Sequence, residues 1–226
     1  MGYAFRMTMK DVKGIIFDVD GTLAGSVEFF YEIALEVLKL AKVPPVSREK
    51  VYAMMRVGDE SPLRKLFPTD HPDPEGTVQR ITESRMDGWL KRYHEDTKAI
   101  PGTLEVLNML HRKGFVLGIA TSSGRALPFL DSWGVRHLFG TIIGREDVEN
   151  RKPHPEPVFK CLDGLGIEPT YAVYIGDSPI DIQAGKAAGV RTIGVLTGTS
   201  DNAVMIQERP DHILPSVSDL PTLLHL

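Results

Sequence analysis

Cysteine is nearly absent: Cys161 is the only one in 226 residues. A single thiol excludes an internal disulfide framework and agrees with a reducing compartment. Because it falls in the helical-looking stretch "PVFKCLDGL", a packed core thiol is expected there rather than a nucleophile. No apolar run approaches the length of a membrane span. The stretch "MGYAFRMTMK" lacks the apolar segment of a secretory signal, and Arg6 stands where the myristoylation pattern needs Ser or Thr. A cytoplasmic protein without a membrane partner is the expectation. Basic clusters are missing too. With 26 basic against 30 acidic residues the net charge is −4, which leaves no electrostatic footprint for nucleic acid. Seven histidines are scattered, and none pairs with another or with Cys161 at zinc-ligand spacing.

What is present is an ordinary globular composition, 42% hydrophobic and 25% charged. The length suits one core domain plus a smaller insert. Five short apolar runs end in small or polar residues: "GIIFDVD" (14–20), "FVLGIATSS" (115–123), "FGTIIGRED" (139–147), "YAVYIGDS" (171–178) and "RTIGVLTGT" (191–199). Helical patterns at 102–114, 124–135, 155–166 and 178–189 separate most of them, and three of these four stop at a glycine suited to a helix C-cap. Alternation of strand and helix predicts an α/β fold, a Rossmann-like doubly wound parallel sheet covered on both faces. Ligands gather at the C-terminal ends of strands in such sheets. The polar clusters fall there: Asp18 and Asp20, Thr121 to Ser123, Glu146 and Asp147, Asp177 and Asp181. The tail "PDHILPSVSDLPTLLHL" reads as a short edge strand and a closing helix.

The first two strands lie too far apart for one crossover. Residues 24–97 carry helical patterns at 26–42, 47–56, 60–67 and 74–96, with Phe30, Ile33, Ala34, Val37, Leu38 and Ala41 forming one apolar stripe. An all-helical inserted domain over 24–97 is expected, hinged near Leu23–Ser26 and Thr97–Gly102, on a core domain of 1–23 and 98–226. Met54 and Met55 read as residues of its interior, and Trp89 and Trp133 as packed residues.

Two carboxylates spaced two apart end the first strand in "FDVDGTL". Strand period two places Asp18 and Asp20 on one side, so both can face one atom. A carboxylate nucleophile splits a hydrolysis into two easier displacements. A second carboxylate can deliver and retrieve a proton, worth about 10²–10⁴-fold in typical cases.

"FDVDGTL" resembles the first signature of the haloacid dehalogenase superfamily. The other three follow in order: "GIATSS", the "RKP" of "VENRKPHPEP", and "GDSPIDIQAGKAAG". Four signatures follow in sequence, each at a strand end or just beyond it, and the resemblance covers the whole chain, with the motif-rich core at 1–23 and 98–226. The resemblance implies a Mg²⁺-dependent phosphatase acting on a small soluble phosphorylated metabolite such as a sugar phosphate, phosphoglycolate, nucleotide or pyrophosphate. It implies Asp18 as the nucleophile that becomes an aspartyl phosphate, and Asp20 as general acid and then base. Thr121, with Ser122 beside it, and Lys152 would bind the phosphate. Asp18, the Asp20 carbonyl and Asp177 would hold Mg²⁺. Asp181 would be a ligand directly or through water, or would orient Lys152. A monomer or small homo-oligomer is expected.

Charge counting supports a metal. Asp18, Asp20, Asp177 and Asp181 face one motif cation, Lys152. Each like-charge pair about 4 Å apart costs roughly 4 kcal/mol at an effective dielectric of 20, and an all-oxygen ligand set suits Mg²⁺. Dehalogenases of the family lack the second aspartate, so Asp20 favours phosphoryl chemistry. Sugar-phosphate mutases share all four signatures and remain an alternative, as does a non-turnover module that holds phosphate on an aspartate. The insert matches the family's first cap type, whose reading loop falls on "RVGDES" (56–61). Arg56, Gly58 and Asp59 are the residues placed to contact substrate, against the alternative of a plain interhelical turn. Gly25 departs from an acidic residue common at that position. His154 is the one histidine near the site, and "GVLTGTSDN" (194–202) reads as a strand end and turn, since it lacks a phosphate-loop lysine.

Overall fold

The structure is a computed structural model and describes residues 9–58, 61–124 and 127–226. Six parallel strands form one sheet: β1 (Gly14–Phe17), β2 (Val116–Ala120), β3 (Phe139–Ile143), β4 (Ala172–Gly176), β5 (Arg191–Val195) and β6 (His212–Leu214). Their order is β3-β2-β1-β4-β5-β6. β1 is the central strand: Phe17 pairs with Ile119 on one side and Ile175 on the other. From β1 the chain winds outward in both directions, which makes the mouth of β1 and β4 the switch point where such sheets bind ligands.

Continuous apolar runs, rather than alternating ones, mark strands covered on both faces. Successive side chains point to opposite faces. Ile15 and Phe17 thus join Leu117, Ile119, Val173 and Ile175 in one buried layer, while Ile16 joins Ala120 and Tyr174 in the other. Helix α4 (Thr103–Arg112) supplies Leu107 and Leu110 to the first layer, and α5 (Pro128–Ser132) adds Phe129 and Leu130. Helices α6 (Glu156–Leu165) and α7 (Pro179–Ala187) supply Val158, Cys161, Leu162 and Ala184 to the second. Cys161 is fully buried, and burial pushes its thiol up, as suits a packing residue. The run at 124–135 gives a helix of only one turn or so: Pro128 stands in its first turn, and Gly134 has a left-handed φ of 71° just beyond its end. Trp133 packs its ring 4.8 Å from that of Phe129. The chain closes with α8 (Asn202–Gln207), edge strand β6 and α9 (Leu220–Leu223).

Between β1 and α4 the helices and turns among the described residues are α1 (Val27–Leu40), α2 (Arg48–Met55), a 3₁₀ turn Pro62–Leu66, and α3 (Pro74–Asp96). Ser47 and Asp73 cap α2 and α3 by accepting from the Lys50 and Gly76 amides. These elements gather their own apolar cluster, in which Ile33, Val37 and Leu38 of α1 meet Val51 and Met54 of α2 and Val78 and Trp89 of α3. Two linkers join this cluster to the sheet, and they pair with each other. The Gly25 amide donates to Lys98 O and the Ile100 amide to Leu23 O, both at 2.9 Å, around an antiparallel Ala24–Ala99 bridge. Among the described residues no helix is long and apolar enough to cross a membrane.

Candidate active site

Asp18 is the first residue after β1, and its backbone amide donates to Ile175 O of the neighbouring β4. Asp177 directly follows β4, and Asp181 lies in the first turn of α7. The three are buried, with exposures of 4%, 4% and 1%. Each offers a carboxylate oxygen, and those oxygens lie within 4.8 Å of one another. Three carboxylates this close and this dry repel strongly unless cations sit among them.

Lys152 supplies one. Its side chain is buried, and Nζ donates to Asp18 Oδ1 at 2.7 Å and to Asp181 Oδ1 at 2.6 Å. Nζ also donates to the phenol oxygen of Tyr174 at 3.0 Å. That phenol can give its own proton to Ala120 O, 2.8 Å away, or to Asp181 Oδ1 at 3.0 Å. The other oxygen of Asp181 accepts from the Ser178 amide at 3.1 Å and the Ser178 hydroxyl at 2.5 Å. Asp181 is thereby tied into both the start of its own helix and the lysine.

Asp177 Oδ2 accepts from the amide and hydroxyl of Thr199, at 2.7 and 3.0 Å. The turn after β5 closes on this carboxylate because Gly198 has no side chain: a Cβ there would lie 2.0 Å from Asp177 Oδ2. Gly21, with a left-handed φ of 84°, would bring a Cβ within 2.9 Å of the same oxygen.

Among the described residues, one ammonium against three carboxylates leaves the site short of positive charge. Burial raises Asp18 well above the ordinary carboxylate range, helped by Asp181, Asp177 and Asp20 and opposed by Lys152. Burial, then the Asp181 charge, pushes Asp177 up to about 7 against the pull of Thr199. Burial works against charge on Lys152, but Asp18 and Asp181 outweigh it and raise the ammonium. The donor set holds only carboxylate oxygens, which fits a hard divalent cation and not a thiolate- or imidazole-seeking one.

Asp20 has different surroundings. Its carboxylate is outside the Asp18–Asp177–Asp181 group and accepts from three hydroxyls. Ser26 Oγ and Tyr93 Oη reach Oδ1 at 2.5 and 2.8 Å, and Ser123 Oγ reaches Oδ2 at 2.5 Å. Among the described residues the two carboxylates of "DVD" therefore part company: one lies among charges, the other among neutral donors. Burial, then the nearby Asp20 charge, raises the Tyr93 phenol well up, so it stays a donor.

Thr121 is buried directly after β2, with its amide on Ile143 O and its hydroxyl accepting from the Ser123 amide at 3.1 Å. Ser122 next to it is exposed. Arg56 points its guanidinium at the core: Nε donates to Thr199 O at 2.9 Å, Nη2 donates to the same oxygen, and Nη1 meets Glu49. Gly58, at φ 61°, passes so close to the loop below that a Cβ would lie 2.4 Å from Lys152 O. A cavity of about 550 Å³ opens beside it, lined by Gly58, Arg151, Lys152 and His154 among others. His154 is exposed, and its Nδ1 accepts from the Glu156 amide. Asp59 lies outside the described residues.

Sequence reasoning gave no role to Tyr174, Ser178, Thr199, Ser26 or Tyr93, and it placed Ser123 in the polar cluster after β2 without pairing it with Asp20. Tyr174 carried a signal, a phenol inside the otherwise apolar strand "AVYIG". Thr199 lies in the stretch read as a strand end and turn; that turn wraps Asp177.

A family model described as haloacid dehalogenase-like hydrolase matches residues 15–195. A phosphoglycolate phosphatase of Salmonella typhi is 30% identical over 238 residues, covering 96% of this chain and 94% of its own. A Bacteroides fragilis structure provisionally named a haloacid dehalogenase-like hydrolase superposes with TM-score 0.81 at 28% identity, covering 92% of this chain and 99% of its own. A Bacteroides vulgatus structure provisionally named a beta-phosphoglucomutase gives TM-score 0.78 at 28% identity, covering 96% and 90%.

Proposed function

Because this chain belongs to the haloacid dehalogenase-like hydrolase family and is a phosphatase of a small phosphorylated metabolite, we propose that Asp18 is its nucleophile and that its substrate is a short phosphate ester of the phosphoglycolate type. The observation that carries the site assignment is the buried Lys152 ammonium bridging Asp18 and Asp181 beside Asp177, at the mouth of β1 and β4. Mg²⁺ is the proposed metal, held by Asp18, Asp177 and the Asp20 carbonyl. Bound there, it would neutralise negative charge gathered around the phosphoryl group. Asp181, with oxygens engaged by Lys152, Tyr174 and Ser178, is assigned to orienting the lysine.

An Asp18 oxygen attacks phosphorus, and the bond to the leaving alcohol oxygen breaks as Asp20 delivers a proton to it. Water then attacks the aspartyl phosphate, Asp20 takes its proton, and inorganic phosphate leaves with Asp18 restored. Lys152 offsets charge on Asp18 throughout, and Thr121, with Ser122, binds phosphoryl oxygens. Residues 24–97 act as a cap domain over the core of 1–23 and 98–226, excluding water from the phosphoryl group.

The phosphoglycolate reading draws on the 30% identical relative of that name. The 28% identical neighbour with the beta-phosphoglucomutase name favours a second reading, transfer between sugar hydroxyls. Specificity constants over a panel of metabolite phosphates with Mg²⁺ decide between them. The hydrolytic reading expects phosphoglycolate to give the highest value, with one phosphate released per ester consumed. Isomerisation of a hexose phosphate without net phosphate release overturns it.

A further inference from the structure

We propose that Tyr93 is a positioning residue for Asp20, fixing its carboxylate where it can reach the leaving oxygen. Its hydroxyl donates to Asp20 Oδ1 at 2.8 Å although 73 residues separate the two in sequence. Tyr93 lies near the C-terminal end of α3, four residues before the second linker. It is 6% exposed, and its ring is held from two sides. Phe29 and Phe30 of α1 lie 5.8 and 5.6 Å away, and Phe129 of α5 meets it edge-on at 5.5 Å. A ring wedged this way has little freedom, so its hydroxyl is a fixed point rather than a roaming donor.

The three hydroxyls on Asp20 come from separate segments. Ser26 is on the first linker, Tyr93 beside the second, and Ser123 on the loop that starts with Thr121. The Asp20 carboxylate is thus aimed by both ends of the helical insert and by the loop assigned to phosphate. Losing one donor from Oδ1 leaves Ser26 as its remaining donor among the described residues, and rotation about the side chain becomes easier. Proton transfer tolerates little misplacement of the acid.

Tyr93→Phe deletes the hydroxyl and keeps the ring packing. Tyr93 can serve proton transfer only if Asp20 performs it, so Asp20→Asn is measured in parallel. The readout is kcat/KM on an alkyl phosphate, whose leaving group needs a proton, and on p-nitrophenyl phosphate, whose leaving group does not. Tyr93→Phe is expected to lower the alkyl value about tenfold and the aryl value less than about threefold. In an Asp20→Asn background it should cost nothing further. Equal losses on both substrates, or no loss, overturn the positioning role while Asp20→Asn still shows the selective loss. Absence of that selective loss in Asp20→Asn overturns the acid assignment itself, and the role of Tyr93 with it.

Discussion

The guanidinium of Arg56 donates from Nε to the carbonyl oxygen of Thr199 at 2.9 Å, across 143 residues of sequence. Thr199 in turn gives its amide and hydroxyl to Asp177. A residue at the end of α2 therefore braces the turn that holds a proposed metal-binding carboxylate. Arg56→Ala should raise the Mg²⁺ concentration for half-maximal activity by about tenfold, the scale typical of residues that support a metal ligand. Activity titrated with Mg²⁺ at saturating substrate reads this directly. A raised KM for substrate with unchanged metal dependence would instead make Arg56 a substrate contact.

Gly198 tests the same turn from the other side. Alanine there places a carbon 2.0 Å from Asp177 Oδ2, so the carboxylate or the turn that bonds it through Thr199 must shift. Gly198→Ala should fold, since the sheet core is untouched, yet bind Mg²⁺ weakly and lose most activity. Isothermal titration of metal into the variant checks it. Wild-type affinity would show that the close approach has no role.

Metal binding should depend on pH in a stated direction. Burial and Asp181 raise Asp177 from 3.8 to about 7, so the folded protein without metal binds a proton that the unfolded chain releases earlier. The stability linked to this group is full below about pH 4 and lost as pH rises through about 7. A metal competes with that proton, so its stabilisation grows over the same window. Thermal denaturation with EDTA and with Mg²⁺ should give a Tm gap that widens as pH rises, less so in Asp177→Asn. A gap that is constant or narrows with pH contradicts the assignment.

The parallel sheet and the placement of charge at its strand ends were largely legible in the sequence, for a physical reason. A strand buried on both faces must be apolar throughout, so a carboxylate at its end stands out, and Asp18 and Asp177 could be placed from "GIIFDVD" and "YAVYIGDS". Lys152 could be placed only through the resemblance, because nothing local in "NRKPHP" says that its side chain is buried. The convergence of hydroxyls on Asp20 was not legible. Ser26, Ser123 and Tyr93 meet at Asp20 through the pairing of two linkers 73 residues apart and the loop after β2, a juxtaposition no local pattern encodes. The same holds for Arg56, whose partner is a backbone carbonyl and leaves no side-chain signature.

The most direct measurement is a search for phosphate covalently bound to the protein. Asp20→Asn, which lacks the base that hydrolyses the intermediate, is mixed with Mg²⁺ and p-nitrophenyl phosphate, whose leaving group needs no proton, then quenched in acid and digested for peptide mass spectrometry. One phosphoryl group on the peptide carrying Asp18, labile to hydroxylamine and missing from Asp18→Asn, is the predicted result. Phosphate on another residue, or turnover by Asp18→Asn at the wild-type rate, would contradict the account.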